Sequence, residues 1–255
     1  MKSFQFNSSG LFVLIFFLVS QVVLSQETEV MIRAQSKDAK FIGTSIGGAM
    51  IIVKDESTGK ILAQGLTRGS TGDTEIIMNT PQTRGTRISD ENTAGFLAKL
   101  DIKEPVFVTI EAYGPVNKKQ AAVKTTMQQW ILPGKHIKGE GIILEIPGFV
   151  VDILSPQTHE SIEANSNIEI TANVVMMCGC PVTENGLWDA NKYEVKALVS
   201  KEGREPATTN LKVQEKPSTF KGTINLEPGN YEITVFAFDP ETGNTGVDKT
   251  NIIIR

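Results

Sequence analysis

Val106-Phe107-Val108-Thr109-Ile110-Glu111-Ala112-Tyr113 is the stretch from which the fold is read. Thr109 and Glu111 alternate with Val108, Ile110 and Ala112, the period of two that belongs to a strand with one buried and one wet face. The same kind of β-branched run recurs on either side of it. Glu29–Gln35, Gly48–Lys54, Lys60–Leu66, Gly95–Leu100, Lys124–Leu132 and Gly141–Ile146 are each bounded by Gly, Pro, Asn or Asp, so they read as strands. Asp55-Glu56-Ser57-Thr58-Gly59 joins two of them as a hairpin loop, with a glycine to take a left-handed turn position. Helical periodicity is nearly absent.

The pattern continues through the second half. Phe149–Pro156, Asn167–Met177, Tyr193–Ser200, Ser218–Asn225, Gly229–Asp239 and Thr245–Ile254 are the expected strands, with turns at Glu227-Pro228-Gly229-Asn230 and Asp239-Pro240-Glu241-Thr242-Gly243-Asn244. The expected fold is all-β: two tandem β-sandwich domains after a cleaved signal peptide. Residues 1–25 are the signal peptide, 27–147 the first sandwich and 148–255 the second. Pro147-Gly148 is the hinge, and a connection this short predicts sandwiches that touch and move little.

Gly48-Ala49-Met50-Ile51-Ile52-Val53-Lys54-Asp55, Thr58-Gly59-Lys60, Thr93-Ala94-Gly95-Phe96 and Val108 to Gly114 give the first half its resemblance to the carboxypeptidase-regulatory-like or transthyretin-like β-sandwich family, over roughly residues 29–146. The chain departs from that pattern in a long insertion, Arg68 to Asn92. In a compact domain an insertion of that length is either functional or disordered. The second half, roughly 150–255, resembles bacterial immunoglobulin-like domains in its turn before a Tyr-containing strand and in its closing Asp-Pro-x-x-Gly-Asn hairpin. It lacks the inter-sheet cysteine pair and the strand-centred Trp of antibody domains. Modules of these kinds imply binding, spacing or assembly roles in exported systems.

Residues 1–25 carry one lysine, an apolar run from Leu11 to Val19, and Val23 and Ser25 at the positions a signal peptidase prefers, so cleavage is expected after Ser25. The apolar run is shorter than the ~20 residues of a membrane-spanning helix, and no second hydrophobic segment follows it. A secreted, periplasmic or cell-surface location is therefore expected, without a membrane span after cleavage. Beyond residue 25 there are 24 basic and 29 acidic side chains. That mildly acidic mixture argues against nucleic acid, which demands a clustered basic face.

The unusual stretch is Met176-Met177-Cys178-Gly179-Cys180-Pro181, which holds the chain's only two cysteines. If the strand stays extended to Cys180, Met176, Cys178 and Cys180 share one face and Met177 takes the other. Three readings stand open. Soft sulfur ligands select Cu(I), which makes Cys178, Cys180, Met176 and Met177 candidate metal ligands, with His159 as a possible imidazole. A reversible Cys178–Cys180 disulfide is the second. The third takes the methionines as core filling and the cysteines as small hydrophobes or a local staple. Zn(II) is disfavoured, because the whole chain offers only two Cys and two His, His136 and His159. Trp188, in the following loop, either plugs the end of the sandwich or stacks on a sugar or a partner.

Two catalytic motifs are set aside. Gly43-Thr44-Ser45-Ile46-Gly47 spells G-x-S-x-G, but a strand follows where the hydrolase elbow needs a helix. Gly69-Ser70-Thr71-Gly72-Asp73-Thr74 has a phosphate loop's glycines without its Gly-Lys-Ser/Thr or its helix. The expectation is an exported, non-catalytic accessory protein with a copper or thiol site at Cys-Gly-Cys and a protein or cell-surface partner. The alternatives are an adhesion or carbohydrate-binding module using Trp188 and the 68–92 insertion, and a thiol-disulfide redox protein.

Overall fold

The computed structural model describes residues 27–164 and 167–255; the signal peptide expected over residues 1–25 lies outside the described residues. The first half supplies β1 (Thr28–Ser36), β2 (Met50–Asp55), β3 (Ile61–Leu66), β4 (Phe96–Leu100), β5 (Val106–Gly114), β6 (Val123–Ile131) and β7 (Ile137–Ile146). They form two sheets, ordered β4-β1-β7 and β3-β2-β5-β6, in which β1 runs parallel to β7 and the other pairs are antiparallel. Alternation sets which side faces in. Val108, Ile110 and Ala112 of β5 are buried with Ile51 and Val53 of β2, and they meet Val30, Ile32 and Ala34 of β1 in one core.

The second half supplies β8 (Phe149–Ser155), β9 (Glu160–Ile162), β10 (Asn167–Met176), β11 (Glu194–Ser200), β12 (Ala207–Asn210), β13 (Lys212–Val213), β14 (Thr219–Asn225), β15 (Gly229–Phe238) and β16 (Thr245–Ile254). Their sheets are ordered β13-β14-β10-β8 and β12-β11-β15-β16-β9. This is the strand order of an immunoglobulin-type sandwich. Tyr231 near the start of β15 donates its hydroxyl to the carbonyl of Glu227, 2.9 Å away, and so pins the preceding turn as a tyrosine corner does. The three short strands β9, β12 and β13 are absent from the sequence reading.

Arg68–Asn92 is not a structureless loop. Bridges between Arg68 and Gly95 and between Ser70 and Thr93 zip its base, and Glu75–Asn79 form a π-helical turn. Arg33, a cation inside β1, clamps that base to β7. Its guanidinium donates to the carbonyls of Thr93, Ala94 (3.0 Å), Gly139 (3.3 Å) and Glu140 (3.2 Å). The Glu140 carboxylate holds the far end of the insertion by accepting from the backbone N–H of Ser89, at 3.2 Å, and from its hydroxyl, at 2.8 Å.

The two cores trade side chains across the junction. Val150 and Met177 are fully buried in the core of the first sandwich, although their chain segments belong to the second half; Ala39 makes the reverse exchange. Burying a side chain of Met177's size contributes about 1.5–3 kcal/mol. Only Pro147 and Gly148 separate β7 from β8, and Gly148, at φ 123°, lies where an added Cβ would come within 2.8 Å of the Thr245 carbonyl. Asn244, fully buried, ties the three parts together. Its side-chain oxygen accepts from Gly148 N–H at 2.8 Å and its amide donates to the Lys37 carbonyl at 3.2 Å. Asn244→Ala is expected to cost about 2–4 kcal/mol in urea unfolding, because it strands a buried donor and acceptor. A loss below 1 kcal/mol would mean that the junction does not depend on this residue.

Candidate functional site

β10 ends at Met176, and the chain turns at once. Gly179 N–H donates to the Met176 carbonyl at 2.7 Å, Met176 N–H donates to the Cys180 carbonyl at 3.0 Å, and Gly179 takes the left-handed φ of 79° that closes the turn. The turn sorts the sulfurs onto two sides: Met176, Cys178 and Cys180 enter the second core, and Met177 enters the first. Gly179 also permits the contact between sandwiches, since a Cβ there would sit 3.3 Å from Ile46 Cδ1.

Cys178 and Cys180 are joined in a disulfide and are 1% and 5% exposed. In this state neither sulfur is a thiolate, so neither offers a soft ligand. Met177 is committed to the other core. His159 lies past the far end of β8, which pairs with β10 so that Phe149 faces Met176; seven residues of strand put the imidazole roughly 20 Å or more from the cysteines. The five sequence-derived ligand candidates, Cys178, Cys180, Met176, Met177 and His159, are thus not brought together. No group of three or more His, Cys, Asp or Glu among the described residues is placed to hold a metal ion. Of the three readings of Cys-Gly-Cys, the geometry shows the two sulfurs joined, which both the reversible disulfide and the local staple require.

After Pro181 the chain forms a compact loop. Thr183 N–H donates to the Trp188 carbonyl and Ala190 N–H to the Thr183 carbonyl, both at 3.0 Å. The Asp189 carboxylate accepts from the N–H groups of Asn185 (2.9 Å) and Asn191 (3.0 Å), and these bonds hold its pKa below the ordinary range. Trp188 is only 6% exposed, and its indole N–H donates to the Asp38 carbonyl of the first sandwich at 2.9 Å. It is a plug and a strut between the two halves, and its face is not an open stacking platform. Leu187 beside it is exposed.

These pieces wall a cleft of ≈ 470 Å³ at the junction. The first sandwich lends Lys40, Ser45 and, from the insertion, Thr71 and Thr74; the second lends the disulfide turn, Pro181, Thr183, Leu187 and Trp188. The insertion is held over the cleft by Phe41 N–H donating to the Thr71 carbonyl at 3.1 Å, and its Met78 packs on the second core. Lys40 Nζ donates to Thr74 Oγ1 at 2.9 Å and, among the described residues, has no carboxylate within ion-pair distance. No histidine or carboxylate side chain lines the cleft. Ser45 lies in the turn Thr44–Ile46, and the next element is the strand β2, where the G-x-S-x-G elbow needs a helix. The cysteines, Trp188 and the insertion stand out in the sequence; Lys40, Ser45, Thr71 and Thr74 join them only through the fold.

No family model matches the chain, and no curated protein matches it. Solved structures that align with the chain include the fibronectin(III)-like modules of CbhA from Clostridium thermocellum, at 12% identity over 89% of this chain and 94% of that one, with a TM-score of 0.31. The chicken interferon gamma receptor alpha chain aligns at 12% identity over 89% and 97%, with a TM-score of 0.28. An engineered protein aligns at 16% identity over 44% of this chain, which spans only 21% of that protein, with a TM-score of 0.32. The architecture described above rests on the chain's own strand pairing. No helix among the described residues is long and apolar enough to cross a membrane.

Proposed function

We propose that the protein is an exported binding protein without catalytic machinery, and that it holds a carboxylate-bearing segment of a protein or cell-surface partner in the cleft between its sandwiches. The observation that carries this reading is the composition of the cleft wall. The Lys40 ammonium, with no ion pair among the described residues, shares the cleft wall with the hydroxyls of Ser45, Thr71, Thr74 and Thr183 and with the apolar Pro181 and Leu187. A volume of ≈ 470 Å³ falls within the usual range of ligand sites. Export is supported by the signal-like residues 1–25 and by a disulfide, which persists in oxidising compartments. The finer likeness of the first sandwich to carboxypeptidase-regulatory-like modules belongs to the same reading. Copper is a proposal for the reduced chain alone, where Met176 and both cysteines occupy one core.

The test is a titration of the labelled protein with short peptides of one apolar sequence, ending either in a free carboxylate or in an amide. The free-acid peptides are expected to shift the amide resonances of residues 40, 45, 71, 74 and 187. Lys40→Met is expected to weaken them about tenfold or more, the worth of a charge-assisted hydrogen bond. Equal binding of the amidated peptides, or shifts confined to other surfaces, would overturn the assignment.

A further inference from the structure

β6 differs from every other sheet edge among the described residues. It pairs with β5 alone, over nine residues, in an unbroken register from Gly114↔Val123 to Val106↔Ile131. Native sheets blunt their edges with short strands, bulges, proline, charge or a covering segment. Among the remaining edges, β9, β12 and β13 have three, four and two residues, and β3, β7 and β8 are each interrupted by a register shift against their partner. β4 has five residues, and the Arg68↔Gly95 and Ser70↔Thr93 bridges cover the chain that leads into it. β6 reads Val123-Lys124-Thr125-Thr126-Met127-Gln128-Gln129-Trp130-Ile131, with no proline, no glycine, no acid and a single lysine.

On the outer face of this edge stands Trp130, 62% exposed, with its ring centroid 5.2 Å from that of Phe107. We propose that β6 pairs with β6 of a second copy of this chain, antiparallel about a two-fold axis through Met127, to make one eight-stranded sheet from the two copies of β3-β2-β5-β6. The strand is self-complementary in that register. Val123 meets Ile131, Thr125 meets Gln129, Thr126 meets Gln128, and Lys124 meets Trp130, so no like charges oppose and each lysine lies against an indole. Lys124 is placed to do so: its side chain is 58% exposed, and its ion pair with Glu111, at 3.9 Å, holds it on the same face. Antiparallel strands exchange backbone bonds along their whole length only when centred in this way. Moving the axis by one residue sets Trp130 opposite Thr126, and moving it further leaves strand ends unpaired. This inference is independent of the cleft.

The test is sedimentation of the purified protein across a concentration series, together with oxidation of Met127→Cys. A concentration-dependent monomer–dimer equilibrium is expected, with Met127→Cys crosslinking into a covalent dimer, because opposed residues in an antiparallel pair lie within disulfide reach. Thr109→Cys, on the neighbouring strand, should stay monomeric. Trp130→Lys places two like-charge pairs across the axis and should weaken the dimer at least tenfold. Trp130→Glu makes those pairs opposite in charge and should restore it, and both variants alter the same side chain, 62% exposed, so that any loss of its contact with Phe107 is common to the two. A monomer at every concentration without a Met127→Cys crosslink overturns the proposal. So does a dimer indifferent to Trp130→Lys, or one that Trp130→Glu weakens just as much.

Discussion

Arg33→Met is expected to lower the unfolding free energy by about 3–5 kcal/mol, at the far end of what single substitutions do. The side chain is 3% exposed, and the four carbonyls it serves come from two segments, Thr93-Ala94 and Gly139-Glu140. Methionine fills much of the volume and leaves those oxygens facing an apolar chain. Burial already lowers the arginine's proton affinity, and the nearby Glu140 carboxylate opposes that shift, which marks how much desolvation the site tolerates to keep its donors. The loss should be local before it is global. Trypsin cleavage after Arg84 and Arg87 in the insertion is expected to accelerate under conditions where the rest of the variant stays folded. A urea midpoint and a cleavage rate both unchanged would show that water replaces the guanidinium at no cost.

Trp188→Ala is the second large effect, about 3–5 kcal/mol for an aromatic removed from a packed core. Its consequence reaches further than a cavity inside one sandwich, because the indole also donates across the junction to Asp38. Without it, the cleft loses a wall and the two halves lose one of their ties. Heating the native protein is expected to give one cooperative heat-capacity peak, and the variant two, as the sandwiches uncouple. A single peak in Trp188→Ala, shifted to lower temperature, would mean that the exchanged core residues Val150, Met177 and Ala39 suffice to couple them.

The long strands were legible because their side chains alternate. β5, β10, β15 and β16 each carry enough period-2 contrast to fix both their extent and their buried face. β9, Glu160-Ser161-Ile162, and β12, Ala207-Thr208-Thr209-Asn210, carry none: they are polar and short, and they are strands only because β16 and β11 offer them edges. Sorting Met176 and Met177 onto opposite sides is readable from their adjacency at a strand end, and Cys178 and Cys180 keep to the Met176 side although the chain turns at Gly179. Whether the thiols would be joined, and how far away His159 would stand, is set by tertiary geometry with no local signal. Arg33 did leave a signal, a lone cation among Ile32 and Ala34, whose meaning depends on carbonyls 60 and more residues away. Lys40, Ser45, Thr71 and Thr74 form no motif, and only the folding of the insertion back onto the junction makes them neighbours.

The account depends on the sandwiches forming one body around the cleft. Residual dipolar couplings of backbone amides, measured for residues 28–146 and 149–254 in one weakly aligned sample, test this directly. A single alignment tensor should fit both sets, with the orientation fixed by the contacts of Asn244, Trp188 and Met177. Two tensors of different magnitude would describe sandwiches that swing about Pro147-Gly148, and a cleft shared between them would then have no fixed shape with which to recognise anything.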